Sequence, residues 1–279
     1  MKEMISFLKE LADEFIKDNA PILAAAQAYY YLLSIVPLLI LVLAILPYLD
    51  INPDNAIQLF QSALPSEMAE ILQDTIFTII STPSGGLLTV GIIGTIWSAS
   101  NGMNAFILAT NTAYNVTEKR SFLNRRLHSV LLTFGMIIAL VATLILPVFG
   151  EVIMSFVRSF MVIPGDFEII FFMVRTLLGF VIMALVLAAL YYFAPTIKLP
   201  FKMVLPGAIF AIISWQVISW GFSYYVSNFG NFSATYGSLG GIIILMLWFF
   251  LTGLILVVGA EINAIYYNRK TIVTVSRVK

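Results

Sequence analysis

Residues 238–265, SLGGIIILMLWFFLTGLILVVGAEINAI, are the stretch that decides the fold. No charged residue occurs between Lys202 and Glu261. A helix needs about 20 apolar residues, each rising about 1.5 Å, to cross the core of a bilayer. Residues 238–265 therefore predict a membrane-spanning helix. Its polar end is marked by Glu261 and by the basic residues Arg269 and Lys270 that follow.

The composition of the whole chain excludes an ordinary soluble domain. Hydrophobic residues make up 60% and charged residues 11% of the sequence, with a mean hydropathy of +0.97, whereas soluble domains have about 25% charged residues. The chain has no cysteine and one histidine, His128, which excludes disulfides and a histidine-rich metal site. The first twenty residues are too polar for a signal peptide, so we expect the mature chain to begin at Met1.

Hydropathy predicts an all-α, polytopic membrane protein with six transmembrane helices in a single membrane domain, residues 1–279. An amphipathic helix over residues 1–18 is expected to lie on the cytosolic face. An acidic outer loop with short interfacial helices is expected over residues 50–86, which contain five acids and no Lys or Arg. The predicted spans are approximately 22–49, 87–112, 129–149, 169–194, 203–227 and 238–265.

The distribution of basic residues predicts the orientation. Lys and Arg occur in both terminal segments and in the connections 113–128 and 195–202, whereas the other connections contain only Arg158. Cytoplasmic segments carry the excess of Lys and Arg. The pattern predicts a multi-pass membrane protein with both termini in the cytoplasm.

Four segments together resemble the YihY/BrkB family of bacterial inner-membrane proteins. They are AAAQAYYYLLSIVPLL at 24–39, WSASNGMNAFILATNTAYNVTEKRSFLNRR at 97–126, YVSNFGNFSATYGSLGGIIILMLWFF at 225–250 and GAEINA at 259–264. The resemblance implies six spans. It implies no settled activity, because the family has been labelled a ribonuclease and a virulence or serum-resistance factor, and transport of envelope lipids has also been suggested for it.

The residues themselves argue against ribonuclease activity. Metal-dependent cleavage of a phosphodiester needs clustered His and carboxylate ligands, and metal-free cleavage needs a general acid and a general base. Here His128 stands among basic residues, and many of the acids fall in the predicted outer loop. We therefore expect no enzyme activity, no cofactor and no nucleic-acid partner.

Three predicted spans carry polar side chains along one helical face. One interpretation is hydrogen bonding between helices, which contributes about 0.6 kcal/mol for each bond. The other is a polar groove, because polar groups in lipid must find partners or water. The candidate groove residues are Gln27 and Ser34 in the first span, Asn101, Asn104 and Asn111 in the second, and Gln216, Ser219 and Ser223 in the fifth.

Two charged positions inside or beside spans each have two interpretations. Arg175 either extends to the outer interface or binds an anion such as phosphate. Glu261, on the inner side, is either hydrated or paired with a basic loop, or else couples to protons. The basic cluster at 119–126 is expected to orient the protein and to contact anionic lipid.

These observations leave two functional hypotheses. The first is a transporter or flippase-like protein that holds the headgroup of an anionic lipid or envelope precursor in a polar groove while its tails stay in the bilayer. The second is a non-transporting scaffold or assembly factor for the cell envelope. No inverted repeat relates residues 22–149 to 169–265, so transporter symmetry is not supported. The substrate, the energy source and the oligomeric state stay open.

Overall fold

The computed structural model describes residues 2–45, 84–138, 165–229 and 237–277. Within these ranges the chain is helical and has no strand, which confirms the predicted all-α fold for this part of the protein. Two short 3-10 turns, Phe201–Met203 and Gly237–Leu239, precede the last two helices. The helices are α1 (Lys2–Lys17), α2 (Ala20–Ile45), α3 (Gly85–Ala113), α4 (122–138), α5 (Gly165–Phe193), α6 (Leu205–Phe229) and α7 (Gly240–Arg277).

Several of these helices are long and apolar enough to cross a membrane. In the described part of the chain there are four, at Ala20–Leu41, Thr176–Phe193, Phe201–Asn228 and Gly240–Thr271. They support the prediction of a multi-pass membrane protein. The count of six stays a prediction, because α3 is interrupted by polar residues and α4 is described only as far as position 138.

Some predicted features lie outside the described residues. The acidic loop predicted at 50–86 is described only from position 84 onward, and the second half of the predicted third span, 139–149, is not described. The two short interfacial helices expected in the acidic loop therefore stay predictions.

Helix α7 is the centre of the bundle and packs against α2, α6, α3 and α1. Glycines allow two of these contacts to bring backbones together. A β-carbon on Gly253 would lie 2.9 Å from the carbonyl oxygen of Ala24, and one on Gly207 would lie 2.0 Å from that of Gly259. Small residues at such positions allow close helix packing inside a membrane.

The buried core is concentrated toward one end of the helices. It combines the ends of α3 and α5, the start of α6 and the second half of α7. The ring of Phe106 packs on that of Tyr191, whose hydroxyl donates to the Leu256 carbonyl at 2.8 Å. Elsewhere many large apolar side chains are exposed, including Val36, Val90 and Leu177, as expected for surfaces that face lipid.

Helix α7 extends well past the end predicted for the sixth span at residue 265, and continues to Arg277. Within these added turns, Arg269 forms an ion pair with Glu10 of α1. Before α7, Gly237 has a φ of +56°, a conformation that favours glycine. The turn into α7 thus uses a glycine.

Candidate functional site

A cleft between α3 and the start of α4 has the mixed polar and aromatic lining expected of a binding site. Its volume is about 240 Å³. We call it the α3–α4 cleft and define it by its lining residues Trp97, Asn101, Asn104, Phe122, Arg125 and Arg126. The α3 members recur at helical spacing and therefore share one face, and the first turns of α4 bring the two arginines to that face.

Arg126 is held in a fixed position in the cleft. Its guanidinium donates to the side-chain oxygen of Asn101 and, at 3.0 Å, to the carbonyl of Trp97. It also lies 3.8 Å from the centre of the Trp97 ring, within the range of a cation–π contact. The Trp97 contact is about 24 Å from the end of α3 by helical rise, so Arg126 reaches far along that helix.

The other polar groups of the cleft are available to a ligand. Asn104 and Arg125 are half-buried. Among the described residues, neither the Asn104 amide nor the Arg125 guanidinium has a hydrogen bond or an ion pair. Arg126 beside them is fixed by its own contacts. The cleft therefore offers one unpaired cation and one amide next to two aromatic rings.

The predicted groove residues of α2 make contacts within their own helix. Gln27 is fully buried, and its side-chain oxygen accepts from the Tyr31 hydroxyl at 3.2 Å. Ser34 donates to the Tyr31 carbonyl at 2.6 Å. The β-carbon of Gln27 faces Gly253 of α7. These contacts agree with the packing interpretation of the first stripe.

Asn111 is separated from Asn101 and Asn104 although the three share a helical face. It is buried, and its amide donates to Glu118 at 3.0 Å. Its oxygen accepts from the backbone and hydroxyl of Thr196 at 2.9 and 3.0 Å. Asn111 thus joins the connection after α3 to the connection after α5, and its hydrogen-bonding groups are occupied.

The stripe on α6 does not join the stripes on α2 and α3 in the described structure. Helix α6 packs mainly against α7 and α5. Gln216 and Ser223 are exposed, and Ser219 donates to the Trp215 carbonyl of its own helix. The described residues therefore do not form one groove enclosed by all three stripes. The polar face of α3 packs against α4 instead.

The structure describes the side chain of Glu261 but not that of Arg175, the two charged residues that the sequence singled out. Arg175 belongs to α5, but its side chain is not described, so its anion contact stays a prediction. Glu261 is 0% exposed, and neither carboxyl oxygen has a hydrogen-bond partner. The burial of Glu261 beside Asp18 does not favour hydration or pairing with a basic loop, and its alternative role in proton coupling stays a prediction.

Some residues of these sites were not singled out in the sequence. Asp18 faces α7, and Asn263 faces α6. Both contacts come from tertiary packing, for which the spacing of residues in the sequence gives no signal. Arg125 and Arg126 were expected to contact lipid headgroups, and only the fold places them beside Asn101 and Asn104. Among the described residues, no three His, Asp or Glu side chains form a group that could hold a metal ion.

Comparison with known proteins places the chain among membrane proteins. Residues 11–277 match the family described as Virulence factor BrkB. The ribonuclease-like protein YfkH of Bacillus subtilis (strain 168) is 40% identical over 266 residues, covering 95% of this chain and 97% of that protein.

More distant similarity extends to proteins described only as membrane proteins. A UPF0761 membrane protein of Aliivibrio salmonicida is 30% identical, covering 93% of this chain and 82% of that protein. One of Photobacterium profundum is 27% identical, with coverages of 97% and 83%. No solved structure matches the chain.

Proposed function

The chain belongs to the BrkB family of membrane proteins, and from that premise we propose that it binds an anionic, amphipathic lipid of the cell envelope and moves it between leaflets. The observation that carries the proposal is the α3–α4 cleft. Its unpaired guanidinium of Arg125 suits a phosphate or carboxylate, because a guanidinium can donate two parallel hydrogen bonds to either group.

The surroundings of the cleft suit the apolar part of such a lipid. Trp97 and Phe122 are 58% and 69% exposed, and Leu123 and Leu127 beside them are also exposed. A headgroup could bind Arg125 and Asn104 while its chains lie against these apolar side chains. If α3 crosses the bilayer as predicted, Arg126 lies at membrane depth, where an ionisable side chain commonly marks a substrate path.

The location proposed for this activity is the inner, cytoplasmic membrane, with both termini in the cytoplasm. The asymmetric distribution of Lys and Arg supports this orientation.

Lipid binding and movement can be tested with the purified full-length protein in liposomes. Headgroup-labelled phosphatidylglycerol is added, and its transfer between leaflets is followed by chemical quenching of the outer leaflet. We expect Arg125→Gln to weaken binding by about tenfold or more, because a hydrogen bond to a charged group contributes about 1.5–3 kcal/mol. Asn104→Leu should also impair transfer while the protein stays folded.

The matched control is Lys119→Gln, which removes an exposed positive charge of the same cluster without altering the lining of the cleft. Equal binding by the wild type and Arg125→Gln would contradict the proposed role of the cleft. Binding without transfer would favour the scaffold hypothesis. That alternative is supported by Gln27 and Asn111, whose polar groups are occupied within the protein.

The ribonuclease-like name of the Bacillus relative suggests RNA cleavage as another candidate. We propose that this chain is not an enzyme. Support comes from His128, whose Nε2–H donates to the Phe193 carbonyl at 2.7 Å and is thereby occupied. Incubation of purified protein with labelled RNA tests this proposal, and cleavage that disappears in His128→Ala would contradict it.

A further inference from the structure

Helix α1 runs antiparallel to the last turns of α7 and contacts it at two separate points. At one point, Glu10 forms an ion pair with Arg269. At the other, the carboxyl groups of Asp18 and Glu261 are within hydrogen-bonding reach of each other. Along each of the two helices, eight residues, or about 12 Å, separate the two contacts. The first contact joins opposite charges, whereas the second joins two acids.

The acidic contact is buried and incompletely satisfied. Glu261 is 0% exposed, and both of its carboxyl oxygens lack a hydrogen-bond donor. The Oδ2 atom of Asp18 is also buried without a partner. Asp18 is held in place by the turn between α1 and α2, in which Asn19 has a φ of +52°. The fold thus aims a fully buried carboxyl group at a second one.

Two carboxylates in this arrangement would repel each other, and neither could donate a hydrogen bond. One added proton removes both problems, because a protonated carboxyl group donates O–H to the ionised one. The more buried Glu261 is the favoured place for the proton, since an ionised group loses the most solvation there. Asp18 is then the acceptor.

We infer that Asp18 and Glu261 form a proton-binding site that holds the end of α1 against α7 while one proton is bound. When the proton leaves, the negative charges of the fully buried Glu261 and the half-buried Asp18 face each other, and that end of α1 loosens. The Glu10–Arg269 ion pair does not need this proton and keeps the other end of α1 in place. The inference does not depend on lipid movement.

The charges around the site leave it in need of a proton. Lys17 and Glu14 act on Glu261 from α1. The Lys17 ammonium is already bonded to Glu14 at 2.6 Å and to Asn115 at 3.2 Å. Helices α2, α3 and α6, which pack around α7 directly or through α2, contain no charged residue. No neighbouring cation in the described structure is therefore free to neutralise both acids.

The environment of Asp18 gives the direction of the pH dependence. Burial raises the pKa of Asp18, and Lys17 partly opposes this. A group whose pKa is raised by folding stabilises the folded state fully below its unfolded pKa. That stability is lost as pH rises through the folded pKa. The contact between the end of α1 and α7 should therefore weaken as pH increases.

Infrared spectroscopy of the full-length protein in nanodiscs detects the proton directly. We expect wild-type protein at neutral pH to show the C=O stretch of a protonated carboxyl group, and this band to disappear at high pH. Glu261→Gln should lack the band. Asp13→Asn, which changes an exposed acid of α1, should keep it. Absence of the band from wild type, or an unchanged band in Glu261→Gln, would overturn the inference.

A second measurement follows α1 itself. Spin labels at Ile16→Cys and Thr117→Cys, exposed positions in a chain without native cysteine, report the distance between the Asp18 end of α1 and the connection after α3, which Lys17 contacts at Asn115. We expect the distance distribution to broaden as pH rises, and Asp18→Asn to suppress this change because an amide cannot ionise. Broadening that is equal in Asp18→Asn and in the parent would contradict the proposed site.

Discussion

At the scale of single residues, the contact of α6 with α7 depends on the absence of a side chain. Gly207 and Gly259 bring the two backbones together, and Asn263 accepts the Gly207 N–H at 2.7 Å. That N–H belongs to the first turn of α6, where a backbone donor has no partner within its own helix. One asparagine of α7 thereby satisfies the start of the neighbouring helix.

The substitution Gly207→Ala should therefore destabilise the protein strongly. Its β-carbon would lie 2.0 Å from the Gly259 carbonyl oxygen and 2.6 Å from the Asn263 amide, and such overpacking costs about 1–3 kcal/mol or more. Thermal unfolding in detergent is the measurement. Gly221→Ala on the same helix is the control, since no atom lies within 4 Å of its added carbon. A melting temperature lowered equally in both variants would refute the packing explanation.

At the scale of helices, α1 is a separate element attached to the bundle. It has a strongly amphipathic pattern and no buried residue of its own. Its attachment uses Arg269, which donates to Glu10 and lies 5.4 Å from the Phe7 ring. The sequence predicted the helix and its surface location, but not that α7 would continue far enough to meet it.

Reversal of the ion pair tests this attachment. Arg269→Glu places two acids together and should increase hydrogen exchange in the first half of α1. The double variant Glu10→Arg with Arg269→Glu should restore protection. Both groups are more than a third exposed, so the pair contributes about 0–1 kcal/mol, and the change in protection should be modest. Failure of the double variant to recover would show that the pair does not hold α1.

At the scale of the whole molecule, the charge pattern predicts where each connection lies. Lys2→Cys and Lys119→Cys should react with an impermeant thiol reagent only after the cells are opened. Asp54→Cys should react in intact cells. The expectation follows from the bias of Lys and Arg toward the cytoplasm, and the absence of native cysteine gives a clean background. Labelling of position 119 in intact cells would reverse the topology.

The sequence was informative about helices and less so about which faces meet. Apolar length predicted α2, α5, α6 and α7 because a bilayer demands it, and the helical spacing of Asn101 and Asn104 correctly placed them on one face. That face packs against α4 and not against the α6 stripe that contains Gln216. The sequence did not show this, because packing between helices brings together residues whose separation along the chain follows no fixed pattern. The burial of Glu261 against Asp18 also depends on packing between helices, so the sequence did not predict it.

The gathering of the core at one end of the helices has a mechanical consequence. Helix α5 is held to α7 at Tyr191, and toward its start it carries many exposed apolar side chains. Helix α6, by contrast, keeps contacting α7 further along through Trp215 and Phe222, which pack on Trp248. A helix held at one end bends most at the other. The gap between α5 and α7 should then widen first away from Tyr191, where a lipid chain could enter sideways without unfolding the core.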